Sequence, residues 1–181
     1  HSNSNRENFR SVSEIPKKFR HIFNFSNFNY LQSEIFDHAL YKDEPLVISA
    51  PTGSGKTVIF ELAIVRLILL KESRQISNFK IVYMAPIKAL VSEKFNEWQA
   101  KLSPLGLNCC ELTGDSEIED YSELRGVHVI LTTPEKWDFM TRRWRENRSF
   151  VQLVKLFLID EVHTINDDTR GATLEAVVNR M

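Results

Sequence analysis

The stretch Ala50-Pro51-Thr52-Gly53-Ser54-Gly55-Lys56-Thr57 decides how the rest of this 181-residue chain is read. It follows a short apolar run, Leu46 to Ser49, and precedes a longer one, Val58 to Leu70, broken only by Glu61 and Arg66. Strand, glycine loop and helix in that order make a phosphate-binding unit. Gly53 and Gly55 let the backbone turn so that successive N–H groups point inward, and the helix start adds its partial positive charge. Pro51, Thr52 and Ser54 complete the expected cradle for a polyphosphate. Lys56 is expected to reach the β- and γ-phosphates as a point charge, and the Thr57 hydroxyl to ligate Mg²⁺. Ala50 stands where the first glycine of the usual pattern falls.

Working outward, apolar runs of strand length alternate with helical patterns. The runs are Leu46 to Ser49, Ile81 to Ala85, Asn108 to Leu112, Val127 to Leu131 and Leu156 to Ile159. Continuous Val/Ile/Leu runs mark strands covered on both faces. The cover comes from helices predicted at Lys56 to Leu70, Ala89 to Lys101, Ser116 to Leu124 and Pro134 to Trp144. The fold class is therefore α/β, a mostly parallel central sheet with helices on both faces. Two helix starts carry their own signals: Ser116 with Glu119 makes a capping box, and Thr133-Pro134 puts a hydroxyl at the cap and proline at the first helical position. Leu31, Ile35, Ala39 and Leu40 fit one face of a short helix inside a Phe-rich segment. Residues 1–18 are read as a flexible N-terminal flank, with order beginning after Pro16 and the domain running over 19–181.

Composition narrows the classes. Hydrophobic residues at 43% and charged residues at 26% exclude a chain that is disordered or coiled-coil throughout. No apolar run approaches the roughly 20 residues of a bilayer crossing, so no membrane partner is expected. The net charge of −1 means that any nucleic-acid contact must come from local groups rather than a basic field. Cys109 and Cys110 are adjacent and would face opposite sides of a strand, which argues against a disulfide. The start at His1, polar and without Met, suggests an internal piece of something larger.

A second site lies at the end of the run Leu156 to Ile159, which delivers Asp160-Glu161-Val162-His163 to the sheet edge where open α/β sheets bind ligands. Phosphoryl transfer to water needs a carboxylate to hold the metal and a group to orient and deprotonate the water. Asp160 takes the first role and Glu161 the second. His163 is either a surface histidine or a coupler that senses the nucleotide.

Ala50 to Thr57, Ala85-Pro86-Ile87-Lys88-Ala89-Leu90, Leu112-Thr113-Gly114-Asp115, Thr132-Thr133-Pro134-Glu135-Lys136-Trp137-Asp138 and Asp160-Glu161-Val162-His163 stand in the order found in the superfamily-two helicases. Over residues 19–181 the chain resembles their DEVH-box branch, and within it the meiotic crossover helicases.

The resemblance implies a RecA-like P-loop domain that uses ATP and Mg²⁺. Gln32 matches the glutamine that reads adenine, and Phe28 is either a neighbour of the base or simply core. Pro86, Lys88, Ala89, Thr113, Gly114, Thr132, Thr133, Pro134 and Trp137 match positions that grip a nucleic-acid backbone. The activity implied is an ATP-dependent helicase translocating 3′–5′ on single strands, on DNA in meiotic recombination and in the nucleus. An RNA helicase of the same branch and a nucleotide-gated binding module remain open as alternatives. The resemblance also implies a second RecA-like domain bearing arginine fingers, and a Ser-Ala-Thr strand after Leu174-Glu175. Without that strand, the place between the phosphate-loop strand and the strand of Asp160 is expected to be empty or the chain truncated.

Overall fold

The computed structural model describes residues 9–43, 46–51, 55–114, 121–143, 148–163 and 173–180, with residues 46–51, 148, 161–163 and 173–180 described by backbone alone. Among the described residues six strands form one sheet: β1 Leu46–Pro51, β2 Lys80–Met84, β3 Cys109–Leu112, β4 Val129–Thr132, β5 Val154–His163 and β6 Thr173–Arg180, in the order β1-β6-β5-β2-β4-β3. β5, β2, β4 and β3 are parallel to one another. The helices are α1 Tyr30–Tyr41, α2 Lys56–Glu72, α3 Lys88–Leu102, α4 Pro134–Arg143 and α5 Arg148–Leu153.

Successive residues of β2 face opposite sides of the sheet, and each side has its own core. Ile81 and Tyr83 join Phe60, Trp98 and the aromatic segment under α1, α2 and α3. Val82 and Met84 join Leu112, Ile130, Met140 and Phe150 under α4 and α5. Cys109 packs on the first side and Cys110 on the second, as adjacency in a strand requires. α2 is apolar nearly all round because it lies deep in the first layer, where it buries Ile59, Phe60, Leu62, Ala63, Ile64, Val65, Leu67 and Ile68.

Of the two alternatives, a truncated chain or an empty place between β1 and β5, the second is not seen: β6 occupies that place, running antiparallel to both neighbours. A vacancy there would leave two rows of ladder groups unpaired inside a sheet, and β6 supplies their partners. The flank does not stay loose up to residue 18 either. Val12 and Ile15 are buried, Ser11 and Glu14 cap a 3₁₀ turn reciprocally, and Ser11 bridges to Asn27. The spacing of Val12 and Ile15 puts both on one side of that turn, against the Phe-rich segment. Arg10 lies 4.2 Å over the Phe36 ring and pairs with Asp37 at 2.9 Å.

Three helical segments compare with expectation in different ways. Residues 148–153, unassigned by periodicity, form α5. Of the helix expected at Ser116 to Leu124, the described part is a 3₁₀ turn at Tyr121–Leu124, and the Ser116–Glu119 box lies outside the described residues. α4 starts where Thr133-Pro134 predicts, with the Thr133 hydroxyl accepting from the Lys136 N–H at 3.4 Å.

Candidate nucleotide and nucleic-acid site

Register places the strand-borne site residues on one edge of the sheet. β1 ends at Pro51, level with His163 across β6, and Ile48 is level with Asp160. Met84 pairs with Ile159 and with Thr132, and Thr132 with Leu112. The parallel strands β2, β4 and β3 therefore finish together, level with Ile159, and β5 runs four residues further to His163. Along this edge the β1 and β5 ends carry the phosphate loop and the acidic pair. The β2, β4 and β3 ends carry Pro86 to Ala89, Thr133-Pro134 and Thr113-Gly114.

The phosphate loop enters α2 through Gly55, whose φ of +84° lies in the left-handed region open to glycine. A Cβ there would stand 2.1 Å from Gln32 Nε2. That closeness has a use, since Gln32 Nε2 donates to the Gly55 carbonyl at 3.1 Å. Gln32 is itself held by a reciprocal cap with Asn29: the Gln32 N–H donates to Asn29 Oδ1 at 2.8 Å, and the Asn29 N–H to Gln32 Oε1 at 2.9 Å. Gln32 thus ties the start of α1 to the start of α2. The spacing Asn29-x-x-Gln32 is the sequence signal that could have revealed this bond. One amide hydrogen and one lone pair of Gln32 remain for the adenine contact expected of it. Phe28 is core, 1% exposed, with ring centroids 5.2–5.5 Å from those of Phe23, Phe25 and Phe36.

Lys56 is buried at the first position of α2, and Thr57 follows it. The Thr57 hydroxyl accepts from Lys94 Nζ of α3 at 2.8 Å. Asp160 Oδ2 accepts from the Tyr83 hydroxyl at 2.9 Å. The other oxygen, Asp160 Oδ1, is buried with no hydrogen-bond partner among the described residues. An orphaned carboxylate oxygen and a threonine hydroxyl are hard oxygen donors of the kind Mg²⁺ takes, so the residues present fit that ion. Burial and then the Asp160 charge push the Tyr83 phenol far above its ordinary value, so it stays a donor at every working pH. Thr52, Gly53 and Ser54 lie outside the described residues, as do the side chains of Pro51, Glu161 and His163.

On the other half of the edge, Pro86, Lys88, Ala89, Gly114 and Pro134 are exposed and Thr133 is half-buried. Thr113 and Thr132 are 4% and 0% exposed. Thr132 turns its hydroxyl to the Thr133 carbonyl at 3.4 Å. Buried positions at strand ends are closed to a strand outside, so Thr133 is the hydroxyl of the three that reaches the surface. Trp137 packs edge-on to Phe157 at 5.8 Å between ring centroids.

Residues 29–181 match the DEAD/DEAH box helicase family. The chain belongs to that family. This DEAD/DEAH box domain is 61% identical over 173 residues to the human "Probable ATP-dependent DNA helicase HFM1", covering 95% of this chain and 12% of the human protein. It is 44% identical over 172 residues to the "ATP-dependent DNA helicase MER3" of Saccharomyces cerevisiae, covering 94% of this chain and 14% of that one. The helicase MrfA, solved bound to DNA and AMPPNP, shares the fold at a TM-score of 0.68 and 19% identity over 83% of this chain and 22% of its own. The chain thus spans about an eighth of the length of these curated relatives.

Proposed function

We propose that this DEAD/DEAH box domain is the ATP-binding motor domain of an ATP-dependent DNA helicase that acts in meiotic recombination, in the nucleus. The observation that carries the reading is the shared edge: β1, which precedes α2 with its Lys56 and Thr57, ends level with β5, which carries the orphaned oxygen of Asp160. The named relatives, DNA helicases at 44–61% identity, favour DNA over RNA as the strand that is gripped.

In this reading Lys56 and the α2 N-terminus balance the charge of the triphosphate, and Gln32 holds Gly55 in place and meets the adenine edge. Thr57 and Asp160 would hold Mg²⁺, which when bound neutralises charge building on the phosphate oxygens. Glu161 orients the attacking water and takes its proton. Lys88 and the backbone N–H groups at the starts of α3 and α4 grip phosphates without reading bases, which gives sequence-independent binding. The family resemblance gives the stepping direction, 3′–5′. A second RecA-like domain supplies arginine fingers, worth about 10³–10⁵ in rate, so this domain alone turns over ATP hardly at all.

The test is the ATPase of the full-length protein with single-stranded DNA or RNA. Lys56→Ala should abolish nucleotide binding or turnover, and Glu161→Gln should retain ATP without hydrolysing it. Stimulation by DNA above RNA is expected. Normal turnover by Glu161→Gln would remove the assigned base, and stimulation by RNA alone would move the protein to the RNA-acting side of its branch.

A further inference from the structure

Helix α3 carries a buried lysine that none of the sequence motifs explains. Lys94 Nζ donates to Thr57 Oγ1 at 2.8 Å and pairs with Glu97 Oε2 at 3.2 Å. Glu97 Oε1 lies 3.1 Å from Lys101 Nζ, which reaches Glu61 Oε2 of α2 at 2.8 Å. Thr57, Lys94, Glu97, Lys101 and Glu61 therefore form one continuous polar chain between α3 and α2. An ammonium is costly to bury, and packing beside the Trp98 ring at 5.6 Å could be done by an uncharged side chain. What a lysine adds at this position is its bond to Thr57.

A hydroxyl oxygen has two lone pairs, and Lys94 holds one of them. A metal ion on the same oxygen would meet the ammonium at close range, and like charges repel. Glu97 offers the ammonium a second acceptor, so Lys94 can leave Thr57 and stay paired. α3 begins at Lys88, next to exposed Pro86, and Lys94 follows six residues later, about 9 Å along the helix axis. One rigid helix thus joins the proposed nucleic-acid edge to the hydroxyl proposed to ligate metal.

Resting on the ATPase reading above, we propose that Lys94 is a positioning residue for Thr57: a resident cation that holds the hydroxyl in the nucleotide-free state and passes to Glu97 when metal-bound nucleotide is taken up. A nucleic-acid strand gripping the first turn of α3 favours this transfer, so Lys94 couples strand binding to metal affinity.

The experiment reads binding rather than turnover. Mg²⁺ is titrated into full-length protein with a fluorescent, non-hydrolysable ATP analogue, and the Mg²⁺ concentration for half-maximal binding is measured with and without a single-stranded DNA oligonucleotide. Lys94→Met should lower that concentration about fivefold, the net weight of one hydrogen bond. Glu97→Gln should raise it, because the alternative acceptor of Lys94 loses its charge, and Lys94→Arg should stay near wild type. DNA should lower the requirement of the wild type and leave that of Lys94→Met unchanged. Shifts of Lys94→Met and Glu97→Gln in the same direction, or no shift in either, would overturn the proposal. If Lys94→Met does not fold, Glu97→Gln decides alone: a raised requirement supports the proposal and an unchanged one overturns it. Thr57→Ala separates the two levels. If it raises the Mg²⁺ requirement while the other variants do nothing, Lys94 has no such role; if it also changes nothing, the nucleotide site itself is misassigned.

Discussion

The Tyr83 hydroxyl donates to Asp160 Oδ2 at 2.9 Å, so β2 supplies the group that fixes the carboxylate at the end of β5. Tyr83 is buried between the rings of Phe60 and Trp98, at centroid distances of 6.1 and 5.2 Å. Tyr83→Phe keeps that packing and deletes only the bond. Since hydrogen bonds to charged groups are worth about 1.5–3 kcal/mol, the variant should lose about tenfold or more in ATPase kcat with little change in the KM for ATP. An unchanged kcat would reduce Tyr83 to a packing residue.

Gly55→Ala meets two main obstacles, the positive φ and the Gln32 amide 2.1 Å from the new Cβ, with Asn29 Nδ2 a lesser one at 3.2 Å. The first costs about 1–2 kcal/mol and the second displaces the bond to the Gly55 carbonyl. In a double-mutant cycle with Gln32→Ala, the penalty of Gly55→Ala should fall to the backbone cost alone, read as denaturation midpoints. Strict additivity would mean that the two residues do not interact.

Glu61 is 1% exposed, and its burial outweighs the pull of Lys101, so its carboxyl is pushed up to about 7. The charged groups facing it are Lys101, Glu97 and Lys94. A folded-state value above the unfolded one near 4.5 means that the native state holds the proton more tightly. This contribution is full below about pH 4.5 and is lost as pH rises through 7, an effect of order 3 kcal/mol. Urea midpoints should fall over that window in the wild type, and Glu61→Gln should flatten the profile. A wild-type midpoint that rises between pH 5 and 7, and is unaltered by the substitution, would contradict this.

Lys80 is buried at the start of β2 and donates to the carbonyls of Leu124, Arg125 and Val127, closing the turn before β4. Lys80→Met fills the space but strands those carbonyls. It should cost about 2–3 kcal/mol in unfolding free energy while leaving ATP affinity unchanged, because the site lies at the opposite edge of the sheet.

Cys109 has its thiol pushed up to about 12 by burial, and Cys110 is raised from the same cause. Reaction depends on the thiolate, so both should resist iodoacetamide at pH 7.5 in the native state and react after unfolding. Fast labelling of either in the folded protein would show that its cover opens.

The parts of the site that were legible in the sequence are those whose geometry is fixed over a few consecutive residues. Gly55-Lys56-Thr57 sit at the start of α2, and Asp160 directly follows the apolar run Leu156 to Ile159 inside β5, which continues to His163. The bonds that tune these residues join elements far apart in sequence. Tyr83 shows a strand pattern and Lys94 a helix pattern, and neither pattern says which hydroxyl or carboxylate will lie opposite. Local signals are also present: Asn29 with Gln32, and Ser11 with Glu14, are both spaced for reciprocal caps. The low apolar content of the first residues hid Val12 and Ile15, whose burial depends on the Phe segment that follows. Nothing in residues 173–180 points to an antiparallel central strand. That position follows from the unpaired ladders of β1 and β5, a property of the whole sheet.

Because Ala176 of β6 lies level with both Ile48 and Asp160, the interval between the phosphate-loop strand and the carboxylate strand amounts to two ladder spacings, about 10 Å. Main-chain atoms alone set that gauge. Exchanging side chains along β6 would leave the calibre of the nucleotide cleft as it is, whereas proline at Ala176, by deleting a rung, would let its jaws drift apart.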